Sequence, residues 1–338
     1  MEQSLNFNQV ERDRREREYR KSFISSFSLH YIDMLVIPRE AQWSSIGVDV
    51  AGGHGIGSGC DQLGSPAGIA IDDEGERMFI VEQINHRVIS WTFGENFGAV
   101  VAGGHGKGSG LHQFNYPTDV VIDQERNSIL VCDCFNYRIM RWSLRFGISH
   151  GELMISQIAC HGLAIDANGT IYATDLGEHA VVRYSRESRT GVVVAGGAGR
   201  GADLNQLNQP MHIALDNEGG LYVTDYVNDR IMKWIVGRSE SFLIAGGQNH
   251  GKNQSQTWRP GGLVVDSEGN IYVVDNENHR VTRWRVGATE GESIASLSSD
   301  EKNSIEKSAL VDLAFDRYGN LYVVDGSIVK RFNLTIGV

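Results

Sequence analysis

The stretch Asp216-Asn-Glu-Gly-Gly-Leu-Tyr-Val-Thr-Asp-Tyr-Val-Asn-Asp-Arg-Ile-Met-Lys-Trp234 decides how the rest of the chain is read. Two runs rich in β-branched and aromatic residues, Leu221 to Thr224 and Arg230 to Ile235, flank a polar turn at 225–229, and Glu218-Gly219-Gly220 turns the chain into the first of them. This is a meander of short strands. Outward from it, Asp72, Asp123, Asp166, Asp216, Asp266 and Asp316 each close an apolar run, at separations of 51, 43, 50, 50 and 50 residues. A fixed period of this size marks an array or a propeller.

The ends of the array fit together. Val48-Asp-Val-Ala-Gly-Gly-His-Gly-Ile-Gly-Ser-Gly59 is the tail of a repeat without a front; it matches Val100 to Gly110, Val193 to Gly201 and Leu243 to Gln248. The last copy, Asp312 to Phe332, is a front without a tail. A ring of β-meanders must close, because an open end leaves a sheet edge and an apolar face unpaired. Fronts at Pro66, Pro117, Cys160, Pro210, Pro260 and Leu310 give the expected fold: all-β, a six-bladed β-propeller of four-stranded antiparallel blades, closed by an N-terminal strand that completes the last blade beside Ile328 to Phe332. The expected boundaries are an N-terminal arm over 1–42 and the propeller over 43–338.

Of the 338 residues, 40 are Gly, placed at fixed offsets of the repeat, so they mark turns rather than disorder. The net charge of −11 disfavours nucleic acid as a partner, since that affinity comes mainly from Lys and Arg neutralising phosphates. The run Glu11 to Lys21 holds six basic and four acidic residues and has no apolar face to bury. Phe23 to Ile37 is only 15 residues long and includes His30 and Asp33, too short and polar for a membrane span, and too far from Met1 with too little apolar continuity for a standard signal peptide. Cys132 and Cys134 read as sharing one face of a strand, with Cys160 opening the next repeat, an arrangement open to one bridge or a small metal site. Asn168-Gly-Thr170, Asn253-Gln-Ser255 and Asn333-Leu-Thr335 are sequons that matter only if the protein is secreted, and the sequence leaves the compartment open.

The pattern Pro260, Asp266, Gly269, Ile271-Tyr-Val-Val-Asp275 and Asn278-His-Arg-Val-Thr-Arg-Trp284, repeated at Asn85-His86-Arg87-Val88 and Trp91, resembles the NHL repeat. The resemblance runs through about six units after Trp43. A kelch propeller has a similar period and a Gly doublet, but here the doublet follows the Trp-bearing strand and the Asn-His-Arg turn is present. NHL-type propellers include the metal-dependent lyase half of peptide-amidating enzymes, protein-binding or RNA-binding platforms of tripartite-motif proteins, and sensor domains of receptors, so the fold does not choose a function. No RING-like Cys/His spacing and no kinase motif accompany this propeller.

Turn residues Asn85, Arg87, Arg138, Arg230, Asn278 and Arg280, with His86 and His279, recur at equivalent sites and so serve every blade rather than one active site. The Arg side chains are expected to pair with Glu82, Asp133, Asp225 and Asp275 as partly exposed contacts contributing ~1 kcal/mol. The Gly-rich links lack the following helix that a phosphate loop requires. The residue four before each repeat Asp gives a different column: Gly68, Asp119, Gly162, His212, Gly262, Asp312. Inner strands line a propeller axis, so Asp119, His212 and Asp312 should converge from alternate blades, with His161 and Asp133 near the same mouth. Two readings follow. The leading one is a noncatalytic binding or scaffold propeller that engages a protein, peptide or small ligand through rim loops and this mouth, with no cofactor. The alternative, implied by the resemblance to the amidating lyases, is a metal-dependent lyase holding zinc or calcium through Asp119, His212 and Asp312.

Overall fold

The computed structural model describes residues 35–145, 149–186, 188–238, 240–247, 251, 253–297 and 310–336. The charged run at 11–21 and most of the segments 23–37 and 296–307 lie outside them. The described chain forms six four-stranded antiparallel sheets and one two-stranded sheet. The first blade is Pro66–Asp72, Arg77–Glu82, Arg87–Thr92 and Ala99–Gly103, and the fourth is Pro210–Leu215, Gly220–Asp225, Arg230–Ile235 and Ser241–Gly246. Inner strands of the remaining blades begin at Pro117, Cys160, Pro260 and Leu310, the fronts legible in the sequence. Each inner strand packs against the next, and the sixth against the first, which closes the ring.

Closure is made by the N-terminal strand Val48–Gly52, which lies outermost in the sixth blade beside Ile328–Phe332, with Val48 opposite Arg331 and Ala51 opposite Val329. A short second latch was not foreseen: Ala41–Trp43 pairs with Leu334–Ile336, and the Trp43 indole donates to the Gly319 carbonyl at 2.9 Å. Ile37 packs in the same cluster, 2% exposed.

The core is divided into wedges between blades. Phe79, Val81, Val88 and Phe114 meet Val120, Ile129, Val131, Met140 and Trp142 from the next blade. A second strand therefore buries both of its faces and reads as a continuous apolar run, as Arg77–Glu82 and Ser128–Asp133 do. Outer strands face water; in Val192–Gly196 both Val192 and Val193 are exposed and only Ala195 is buried. Trp91, Trp142, Trp234 and Trp284 close the third strands, and burying each such ring contributes ~1.5–3 kcal/mol.

One expected placement is corrected. Cys134 does not share a strand face with Cys132: Ser128–Asp133 ends at the carboxylate and Cys134 opens the 3₁₀ turn Cys134–Asn136. Cys132 instead bonds Cys160 on the inner strand of the third blade. The turn forms there because Tyr137 takes the left-handed conformation, φ 52°, and its N–H bonds back to the Cys134 carbonyl. Among the described residues no helix is long and apolar enough to cross a membrane.

Candidate functional site at the axial mouth

Pairing of Pro66 with Glu82 and of Arg87 with Gly103 sets the start of the inner strand, the turn between second and third strands, and the Gly-rich link at one end of the propeller. At this end every inner strand carries a register irregularity around its third residue, between Pro117 and Val120, Pro210 and Ile213, and Leu310 and Leu313 in the second, fourth and sixth blades. A bulge re-aims a side chain, and here it lies at the column Gly68, Asp119, Gly162, His212, Gly262, Asp312. The glycines are required by close approach: a Cβ at Gly68, Gly162 or Gly262 would sit 2.8 Å from the Cα of Asp119, His212 or Asp312 respectively. Glycines and ionisable residues therefore alternate around the axis.

Asp119, His212 and Asp312 are brought together, one ligand atom of each within 4.8 Å of the others. The His212 Nδ1 lies 3.8 Å from Asp312 Oδ1, and the three residues are 7%, 5% and 6% exposed. Backbone N–H groups hold both carboxylates rigidly. Asp119 accepts from Val120 and, in the third blade, from Leu163, both at 2.7 Å; Asp312 accepts from Leu313 and, in the first blade, from Ile69, both at 2.9 Å. Each acid thus ties its blade to the next one around the ring. His212 is positioned by its N–H donating to the Thr224 hydroxyl at 2.9 Å.

Burial governs the protonation of the group. Asp119 is pushed well up by desolvation and then by the charge of Asp312, against the hydrogen bonds from Leu163 and Val120. Desolvation raises Asp312 to about 7, opposed by its two N–H donors. It lowers His212 to about 4, so this imidazole is neutral at neutral pH. Two carboxylates that resist ionising alone, beside a neutral imidazole, form a donor set that a divalent cation would stabilise.

His161 belongs to the same neighbourhood, its ring 5.3 Å from that of His212 and edge-on at 81°. Its Nδ1 is buried without a hydrogen-bond partner, and desolvation, then His212, lower it to about 3 against a hydrogen bond to the Met211 carbonyl. Asp133 does not join the axial group. Its Oδ1 accepts from the Asn115 N–H at 2.6 Å, and its Oδ2 from Asn136 at 2.8 Å and Arg138 at 2.6 Å.

The last arrangement is one of four equivalent clasps, and they differ from the expected surface pairs. Glu82, Asp133, Asp225 and Asp275 are 0% exposed. Arg230 donates its Nε to Asp225 at 2.7 Å and its other nitrogens to the Ala202, Asp203 and Gln206 carbonyls of the preceding link, at 2.7, 2.9 and 3.0 Å. Asn228 bridges Asp225 and the Gly201 carbonyl, both at 2.8 Å. Asn136 and Asn228 are members that the sequence reading passed over, although their spacing of three after the carboxylate repeats that of Asn85 and Asn278.

A model of the NHL repeat matches residues 257–284. No curated protein matches the sequence. Among solved structures, the chain is similar to an auxiliary nutrient binding protein from Bacteroides thetaiotaomicron (14% identity, TM-score 0.61, covering 81% of this chain and 70% of that one). It is similar also to a gluconolactonase from Xanthomonas campestris (15%, 0.59, 81% and 88%) and to a virginiamycin B lyase from Staphylococcus aureus (12%, 0.53, 88% and 100%). At these identities the likeness is one of fold, and the functions of these proteins are mixed.

Proposed function

We propose that this NHL-repeat β-propeller is a noncatalytic binding module whose ligand enters at the axial mouth, anchored by a divalent cation held by Asp119, His212 and Asp312. The observation that carries the reading is the spacing of the three buried ligand atoms, all within 4.8 Å of one another. Two carboxylates and one imidazole suit zinc or calcium; a bound cation would supply positive charge to attract an oxygen-bearing ligand. Holding is favoured over catalysis because all four carboxylate oxygens are fixed by backbone N–H groups, and because His161, lowered to about 3, is a poor proton acceptor at neutral pH. The metal-dependent lyase remains the second reading, supported by the same donor set, and turnover of a peptide or lactone substrate by the metal-loaded protein would favour it.

Elemental analysis of purified protein is expected to find stoichiometric zinc or calcium that is lost in His212→Ala. A metal-free protein that does not take up either ion in a titration would sink the proposal. The affinity also carries a sign in pH. Asp312 is raised to about 7 and Asp119 is raised as well, so on acidification a cation must displace a proton from Asp312 and a further one wherever Asp119 is protonated, and affinity is expected to fall at least tenfold per pH unit below neutrality. Binding isotherms that superimpose across the neutral range would contradict this assignment.

A further inference from the structure

We propose that the chain is matured in the oxidising lumen of a secretory pathway, where Asn168, Asn253 and Asn333 accept N-linked glycans and the Cys132–Cys160 bond closes one seam of the ring. Two independent observations lead there. The first is the seam itself. Between the second and third blades the clasp is missing: Ala180 stands where Arg230 stands in the fourth blade, and Glu178 where Asn228 stands. The Ala-Gly-Gly link is absent there too, the chain running directly from Glu152–Ser156 to Cys160–Ile165. At this one place two fully buried cysteines face each other across the blades, Cα atoms 5.4 Å apart, and are bonded. A covalent bond therefore takes the place of the buried ion pair that ties four other blades to their preceding links. Such bonds form and persist where the surroundings are oxidising, whereas a reducing cytosol would leave two buried thiols and an untied seam.

The second observation is the placement of the sequons. The Asn of each is exposed: Asn168 in the turn between Cys160–Ile165 and Ile171–Asp175, Asn253 in the link into the fifth blade, Asn333 between Ile328–Phe332 and Leu334–Ile336. Their hydrogen bonds run through the backbone, where the N–H groups donate to Asp166, Gln256 and Ser44, so the carboxamides are presented to solvent. Asparagines with structural duties, Asn85, Asn136, Asn228, Asn270, Asn278 and Asn320, all fall outside sequons. The middle residues Gly169, Gln254 and Leu334 meet the one requirement on that position, none being Pro.

The chemistry balances with donors of that compartment. The Asn carboxamide nitrogen bonds to the anomeric carbon of a lipid-pyrophosphate-linked oligosaccharide, the bond from that carbon to the phosphate oxygen breaks, lipid pyrophosphate leaves, and the amide loses one proton. The Cys132 and Cys160 thiols give two electrons and two protons to the disulfide of an oxidoreductase, which becomes a dithiol. Asn168 and Asn333 follow strand ends opposite the mouth, so glycans there leave the axial group open.

Peptide mapping of the protein isolated from the cells that make it tests the proposal. N-glycosidase F digestion in heavy-oxygen water is expected to convert Asn168, Asn253 and Asn333 to labelled Asp, and the Cys132 and Cys160 peptides to stay joined until reduced. Unmodified Asn in all three peptides, or both cysteines alkylated before reduction, would overturn it. In a eukaryotic host, Thr170→Ala, Ser255→Ala and Thr335→Ala should each remove one glycan while leaving the asparagine in place. An unchanged glycan count in these variants would show the sugars to be attached elsewhere and would equally overturn the assignment.

Discussion

Arg230→Ala is expected to lower the stability of the propeller by ~3–5 kcal/mol, because it leaves the Asp225 carboxylate buried with its charge uncompensated. Loss of the guanidinium also orphans the Ala202, Asp203 and Gln206 carbonyls of the neighbouring link, so the damage spans two blades. Arg230→Lys keeps the charge but cannot make the fork of bonds, and should fall between the variant and the parent. The comparison that makes the number meaningful is Arg259→Ala. Arg259 pairs with Glu277 at 3.0 Å, but the side chains are 52% and 34% exposed, so the loss there should stay within ~1 kcal/mol. Urea denaturation reads both as shifts in midpoint at constant slope. Equal losses for Arg230 and Arg259 would show that burial is not what makes the clasp matter.

Replacing Val48–Gly52 with a Gly-Ser run of equal length should cost more, abolishing the cooperative unfolding transition altogether. The substitution removes buried Ala51 and the strand that covers Ile328–Phe332, exposing Val329, which packs with Val324, Tyr322 and Leu63. A sheet edge with an apolar face is then left open on a closed ring, a condition that favours aggregation over folding. Thermal melts followed by light scattering distinguish the outcomes. A variant that melts as sharply and as late as the parent would mean that Ala41–Trp43 and Leu334–Ile336 are a sufficient latch.

How far these features could be read in the chain depends on whether the repeat copied them. Six strand fronts were visible because Pro opens four of the inner strands, at Pro66, Pro117, Pro210 and Pro260, and an Asp closes all six at a near-constant interval. That Asp is a turn clamp: Asp216 accepts from the Glu218 and Gly220 N–H groups and from the Tyr222 hydroxyl, so it recurs in every blade. The axial column was visible for the opposite reason, since Asp119, His212 and Asp312 interrupt the repeat where glycine otherwise stands. The clasp was half visible. Its carboxylate and Arg are side chains at fixed spacing, but its remaining partners are main-chain carbonyls of the links, which leave no trace in residue identity. Burial of the pair was missed on that account. The place of Cys134 was missed because a strand and a 3₁₀ turn meet between adjacent residues, and alternation along the sequence cannot mark such a junction. Pairing of Ala41–Trp43 with Leu334–Ile336 involves three residues a side, too few for a periodic signal.

The clasps and the cross-blade cysteine bond are not spread evenly around the circle. Blades one, two, four and five grip the segment that precedes them through an arginine, and blade three is bolted by sulfur. The sixth has neither among the described residues, since Asp325-Gly326-Ser327-Ile328 carries no arginine at the gripping position. At the border between blades five and six the fastening is supplied by the chain's own leading segment: the Leu35 and Ala41 carbonyls accept from Ser267 and Arg283 of the fifth blade while the Trp43 indole donates to Gly319 of the sixth, so the same short stretch that latches the ring also staples its last two sectors.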